Sequence, residues 1–235
     1  MLAATRPLTR RFALWCFPLL AAVAIVLFLT YRHATETTIR ATAENVALSI
    51  ERTLTNTLWS RYSAFLLSAE ALDQTPARIH PTTARLDKDI RALIEGTDVL
   101  KVKIFSASGK TVFSTDFTQI GKGYARKEDF VAALEGEVES AKSWRDTFQT
   151  VDGKRTDVRV LATYLPITSS GDPDTAVAII EIYLDITTVT EQSYRGEAMI
   201  VAAVLTPLIL LAVFLTEILH MRSSQPKKCA SDRYH

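Results

Sequence analysis

Two long uncharged stretches constrain this chain more than anything else in it. Phe12–Tyr31 (FALWCFPLLAAVAIVLFLTY) runs for 20 residues without a charge, and Ala198–Thr216 (AMIVAAVLTPLILLAVFLT) for 19. Either is long enough to cross a hydrocarbon core of about 30 Å as a helix, which satisfies its own backbone hydrogen bonds there. Arg6, Arg10 and Arg11 precede the first stretch, and Arg222, Lys227, Lys228 and Arg233 follow the second. Basic flanks stay on the cytoplasmic side, so both termini are expected in the cytoplasm and the middle of the chain outside it. Arg10-Arg11 also suits a signal peptide. The apolar run is longer than a usual signal core of about 7–15 residues, and no small-x-small site directly follows, which favours an uncleaved anchor. The expected division is 1–11 cytoplasmic, 12–31 first span, 32–197 extracytoplasmic domain, 198–219 second span and 220–235 cytoplasmic tail.

The segment between the spans carries 20 Lys and Arg against 24 Asp and Glu, a formal charge of −4. Long loops translocate largely regardless of such charges. The whole chain stands at +1, which gives no reason to expect a nucleic acid partner. The two cysteines, Cys16 and Cys229, lie outside this segment. No disulfide framework or CxxC metal site is available to it. The four histidines are scattered, no HExxH or GxSxG occurs, and Gly121-Lys122-Gly123 lacks the rest of a phosphate-binding loop. The expectation is a chain with no catalytic residues, no metal and no cofactor.

Within the segment, Thr35 to Asp73 holds neither Gly nor Pro. Ile39, Ala43, Val46, Ile50, Leu54, Thr57, Leu58, Phe65 and Leu72 fall mostly at helical steps, predicting one long amphipathic helix that continues the first span. Pro76 and the HPTTARLDKDI stretch end it. Thr82 or Thr83 is expected to cap a second helix over Ala84–Gly96. Strand character follows. In VLKVKIFSA, Leu100, Val102 and Ile104 face one way and Lys101 and Lys103 the other. Ser108-Gly109 and Asp152-Gly153 read as hairpin turns, and a short helix is expected over about Lys127–Glu135. TAVAIIEIYLDIT is a strongly β-branched strand. The prediction is an α+β fold, an antiparallel sheet of about five strands with helices on one face.

KVKIFSASGKTVFSTDFTQIGKG resembles the central hairpin of Cache domains, the PAS-like extracytoplasmic sensors of bacterial receptors. FVAALEGE is similar to the short helix that follows it, VRVLATYLPI to a later strand, and AVAIIEIYLDIT to the last strand before the second span, in the form found with diguanylate cyclases and histidine kinases. The resemblance covers about Arg32 to Thr216. It implies a PAS-like sheet with a long N-terminal helix, flanked by two transmembrane helices in the inner membrane, usually as a homodimer. It also implies a small-molecule ligand, often a carboxylate or amino acid, held between the sheet and the loops over it. Its signal would pass through the second span to an output domain. After Leu219 only HMRSSQPKKCASDRYH remains, so the expectation is a truncated product or a separate cytoplasmic output protein.

Several residues are candidates for ligand contact. Arg159 can fork a carboxylate, Tyr164 and Tyr183 can offer hydroxyls, and Asp185 can receive an ammonium group. Trp144 can supply an aromatic wall. Tyr183, Asp185 and Glu181 share one face of their strand. Ser114 to Asp116 is either a pocket edge or a turn that bonds its own backbone, the second being the commoner use of Ser and Asp. The rival reading of the whole chain is a non-sensing membrane partner that acts by dimerising through its long helix.

Overall fold

The computed structural model describes residues 6–123, 128–169 and 172–223. Contacts divide the chain into two compact units. One holds the terminal segments, up to Thr35 and from Gln192, and the other is Glu36–Glu191.

The chain begins in α1 (Arg6–Leu54), passes through a π-helical turn (Thr55–Trp59) into α2 (Ser60–Ser68), and ends in a 3₁₀ turn (Ala69–Ala71). The predicted long helix is thus present with one irregularity. It stops at Leu72, whose backbone is extended, rather than at Pro76. Lys110 Nζ donates to the terminal carbonyls of Glu70 and Leu72 at 2.6 and 2.7 Å, taking up acceptors that a helix end leaves open. Pro76 instead lies in the first turn of a short α3 (Gln74–Ile79), where its missing N–H costs nothing. The cap of α4 (Pro81–Ile94) is His80, whose Nδ1 accepts from Thr82 N at 3.1 Å. Neither threonine caps the helix. Thr83 is fully buried and donates to Ala77 O at 2.7 Å.

Five strands form one antiparallel sheet: β1 (Val99–Ser106), β2 (Thr111–Ser114), β3 (Glu139–Thr150), β4 (Gly153–Ser169) and β5 (Asp172–Asp185), in the order β2-β1-β5-β4-β3. A 3₁₀ turn (Phe117–Gln119) and α5 (Glu128–Leu134) lie between β2 and β3. At Gly121, φ is +80°, and a Cβ would come within 2.8 Å of the Gln74 backbone, so this loop crosses α3 at a spot only glycine fits.

The sheet is covered on both sides. On one side Val102, Ile104, Leu161, Leu165, Ile180 and Ile182 pack with Ala47, Leu54, Leu58, Tyr62 and Leu66 of the long helix and Leu86 and Ile90 of α4. On the other, Phe105, Phe148, Val160, Tyr164, Ile179 and Tyr183 pack with Phe130 and Ala133 of α5. The central strands β1 and β5 are therefore buried on both faces, not alternately in and out.

From β5 only Ile186 intervenes before α6 (Thr187–Ser223). Asp185 Oδ1 accepts from Thr187 N at 2.9 Å, and Thr187 Oγ1 accepts from Arg159 N at 2.9 Å. The helix therefore begins directly at the end of the sheet. Within α6, Thr187–Leu211 is long and apolar enough to cross a membrane, and overlaps the predicted second span. It is the one such stretch among the described residues. The first predicted span is helical as part of α1, with the side chains of residues 12–17 and 20 outside the described residues.

Candidate functional site

All eight residues of β1 are buried, and these include Lys101 and Lys103. Alternation sends both lysines to the α5 side of the sheet, where they enter an aromatic layer. Burying an ammonium is costly unless it is paired, and the two lysines are paired to different degrees.

Lys103 is well met. Its Cα partners are Ser114 on β2 and Glu181 on β5. Its Nζ donates to Tyr183 Oη at 2.8 Å and lies 3.0 Å from Glu181 Oε2. The contact with Glu181, itself 1% exposed, is an ion pair without the alignment of a hydrogen bond. Tyr164 is the Cα partner of Glu181 on β4. One row across four strands therefore reads Ser114, Lys103, Glu181, Tyr164.

Lys101 is poorly met. Its side chain is 4% exposed, yet among the described residues its Nζ makes no hydrogen bond. It stands 4.2 Å from the ring centroid of Phe148 and 5.7 Å from that of Tyr183. Asp116 Oδ2 lies 3.7 Å away, within ion-pair range. Burial lowers the Lys101 pKa, the pull of Asp116 partly offsets this, and the neighbouring charge of Lys103 lowers it further.

Asp116 is held by its own loop. It caps the 3₁₀ turn, accepting from Thr118 N at 3.2 Å, Thr118 Oγ1 at 2.7 Å and Gln119 Nε2 at 2.9 Å. Burial raises its pKa, but the bonds from Thr118 and Gln119 and the charge of Lys101 outweigh this and hold it below the usual carboxylate range. Ser114 is fully buried, and its Oγ accepts from Asp116 N at 3.1 Å.

On its outer side Asp116 borders a groove of about 640 Å³ between α4, the loop after β2 and the β3–β4 hairpin. Arg91 of α4 ties the three together. It pairs with Asp87 at 2.7 Å and donates to Thr115 O at 3.0 Å and to Val151 O. Asp87 Oδ1, buried at the groove wall, has no hydrogen-bond partner among the described residues.

The candidate residues read from the sequence divide between the two faces. Ser114, Asp116, Tyr164 and Tyr183 come together around the lysines. Trp144 and Arg159 are cross-strand partners on β3 and β4, in phase with Leu161 of the opposite face. Trp144 is 59% exposed, with Nε1 donating to Asp157 at 2.6 Å. Asp185 lies at the end of β5, where it pairs with Arg155 at 3.2 Å and caps α6. Sequence reasoning missed Lys101, Lys103 and Phe148. A signal existed: Glu181 is the one charge in the middle of the β-branched strand, within AVAIIEIYL, and a carboxylate in a central strand needs a buried cation beside it. Among the described residues no three His, Cys, Asp or Glu groups gather as a metal site would require.

No family model and no curated protein matches the chain. Solved structures do. The chain is similar to the sensor domain of E. coli DcuS, with 18% identity over 66% of this chain and 97% of that one, at a TM-score of 0.42. It is similar to the sensor domain of the V. cholerae histidine kinase DctB, with 13% identity over 70% of this chain and 60% of the other, at 0.35. It is also similar to the periplasmic domain of RsbU from Chlamydia trachomatis, with 16% identity over 70% and 58%, at 0.33. These neighbours are Cache, PAS-like sensor domains. The chain spans less than two thirds of the DctB and RsbU structures, and every TM-score is below 0.5.

Proposed function

We propose that this chain is a sensor of the bacterial inner membrane, anchored by spans at 12–31 and 198–219 with both termini cytoplasmic. Its extracytoplasmic domain binds a small carboxylate or amino acid on the α5 side of the sheet. The observation that carries this reading is the buried lysine pair. Two ammonium groups two residues apart on a central strand are expensive for a fold that needs only packing. Lys101 in particular has donors that no acceptor among the described residues uses. A carboxylate offers the acceptors it lacks, and Tyr183 and Tyr164 border the same layer with hydroxyls. For an amino acid ligand, Glu181 is the partner for the ammonium end.

The route outward follows from chain order. Glu181 and Tyr183 are on β5, and β5 runs through the single residue Ile186 into α6. A ligand shifts such an element only if it binds two of its states unequally. The signal would be delivered on the cytoplasmic side of the membrane, in a homodimer.

The test is thermal unfolding of the full chain in detergent against a panel of carboxylates, amino acids and amines. At a hundredfold excess over Kd a ligand stabilises by about 2.7 kcal/mol. We expect carboxylates to raise Tm and Lys101→Met to abolish the response. A flat profile across the panel would favour the rival reading, a membrane partner that acts by dimerisation.

A further inference from the structure

We propose that Asp116 is a tethered gate: its carboxylate holds the place beside Lys101 that an incoming carboxylate takes, and the groove on its outer side is the way in. The inference rests on the ligand reading given above.

Three observations carry it. Asp116 touches both the groove and the lysine, since it lines the first and lies 3.7 Å from Lys101 Nζ. That distance is an ion pair but too long for a hydrogen bond, so the buried ammonium keeps its donors for a closer acceptor. Asp116 is anchored elsewhere, by Thr118 and Gln119 of its own turn. A carboxylate bound so firmly to its loop and so loosely to the lysine can be displaced from the lysine without losing its other partners.

The loop is also connected so that displacement would travel. Arg78 of α3 donates to Thr118 O at 2.8 Å and to Ile120 O at 3.2 Å, and Arg91 of α4 donates to Thr115 O. Both helices therefore grip the segment that carries Asp116. A ligand that enters by the groove and bonds Lys101 pushes the Asp116 carboxylate back toward solvent and moves the loop against α3 and α4. Charge repulsion between ligand and gate sets the threshold: a weak anion fails to displace Asp116, and a dicarboxylate that also engages Lys103 succeeds.

The test compares wild type, Asp116→Asn and Lys101→Met, each as the full chain in detergent. Asparagine keeps the capping acceptor while removing the competing charge. Affinity for mono- and dicarboxylates is read from Tm against concentration. In parallel, Lys101 is acetylated with a small reagent and the extent read by peptide mass spectrometry. We expect Asp116→Asn to bind carboxylates about tenfold more tightly, the worth of roughly one charge-assisted contact, and to acetylate faster at Lys101. A response seen only in Asp116→Asn would support the gate equally. If Asp116→Asn binds as wild type does or more weakly, and its Lys101 labelling is unchanged, the gate is wrong and the sensor reading stands. If no carboxylate shifts either protein, both are wrong.

Discussion

At the scale of single residues, the domain accepts an electrostatic cost at Lys101. A buried cation without hydrogen bonds among the described residues destabilises the fold, so Lys101→Met is expected to raise stability by about 1 kcal/mol. The sign of the pH dependence follows from the lowered pKa. The unfolded chain binds this proton more readily than the folded one, so the penalty is full below the folded pKa and fades as pH rises toward the unfolded value. The advantage of Lys101→Met over wild type should therefore shrink in alkaline solution, as denaturant titrations at several pH values would record. A role in packing alone would give the opposite sign, a loss of stability at every pH. The lysines also mark the limit of sequence reasoning at this scale. Alternation correctly assigned Lys101 and Lys103 to the face opposite Val102 and Ile104, but it misplaced Leu100, which a register shift at Val99–Lys101 turns into the aromatic layer. It could not say that this face is covered too, because the covering residues, Phe130 and Ala133 of α5 and Phe148 of β3, lie about 30 to 45 positions along the chain.

At the scale of elements, the π turn is the clearest departure from expectation. Leu54, Leu58, Tyr62 and Leu66 are all buried, at successive steps of four. In an α-helix each such step overshoots by about 40°, so the three would wander about 120° around the helix. A turn with wider i→i+5 bonding absorbs much of that drift and keeps the four side chains on the sheet. It also leaves a void of about 20 Å³, lined by Leu58, Trp59, Ile104 and Ile180 among others, room for about one water and almost wholly apolar. Deleting Thr57, an exposed residue of the turn, should restore α geometry and rotate everything before it by about 100° relative to the core. Ala43, Ala47 and Leu54 would lose their seats, at a cost we put at about 3 kcal/mol, comparable to a large-to-small core change. Urea unfolding would measure it, and an unchanged midpoint would mean the turn is incidental. The long helix was legible because its apolar spacing is strong. The π turn was not, since 3.6-residue periodicity tolerates steps of three and four alike. The caps misled for a related reason. Thr82 and Thr83 are better capping residues than His80, but Pro81 takes the first helical position and fixes the cap one residue earlier.

At the scale of the whole molecule, the order of elements was legible because strong punctuation separates them, Ser108-Gly109 and Asp152-Gly153 above all. Which strands neighbour one another was not, because β1 pairs with β5 across some 75 positions. In the unit formed by the two terminal segments, a Cβ on Gly196 would stand 2.8 Å from Tyr31 Oη, so α1 and α6 approach closely there. Cysteines at positions 31 and 196, in a background without Cys16 and Cys229, should crosslink within one chain through a short bis-maleimide, which spans the gap left by the Tyr31 ring. Their failure to do so in native membranes would contradict this pairing. The joint at Ile186 has a practical side. With one residue between a hydrogen-bonded strand and a capped helix, there is no slack to absorb a change in angle. Anyone grafting a reporter onto α6 would be extending a shaft keyed to the sheet, and each residue added to or removed from it turns the cargo by about 100°. A biosensor built on this scaffold would be tuned by helical phase, one residue at a time, before any linker chemistry is considered.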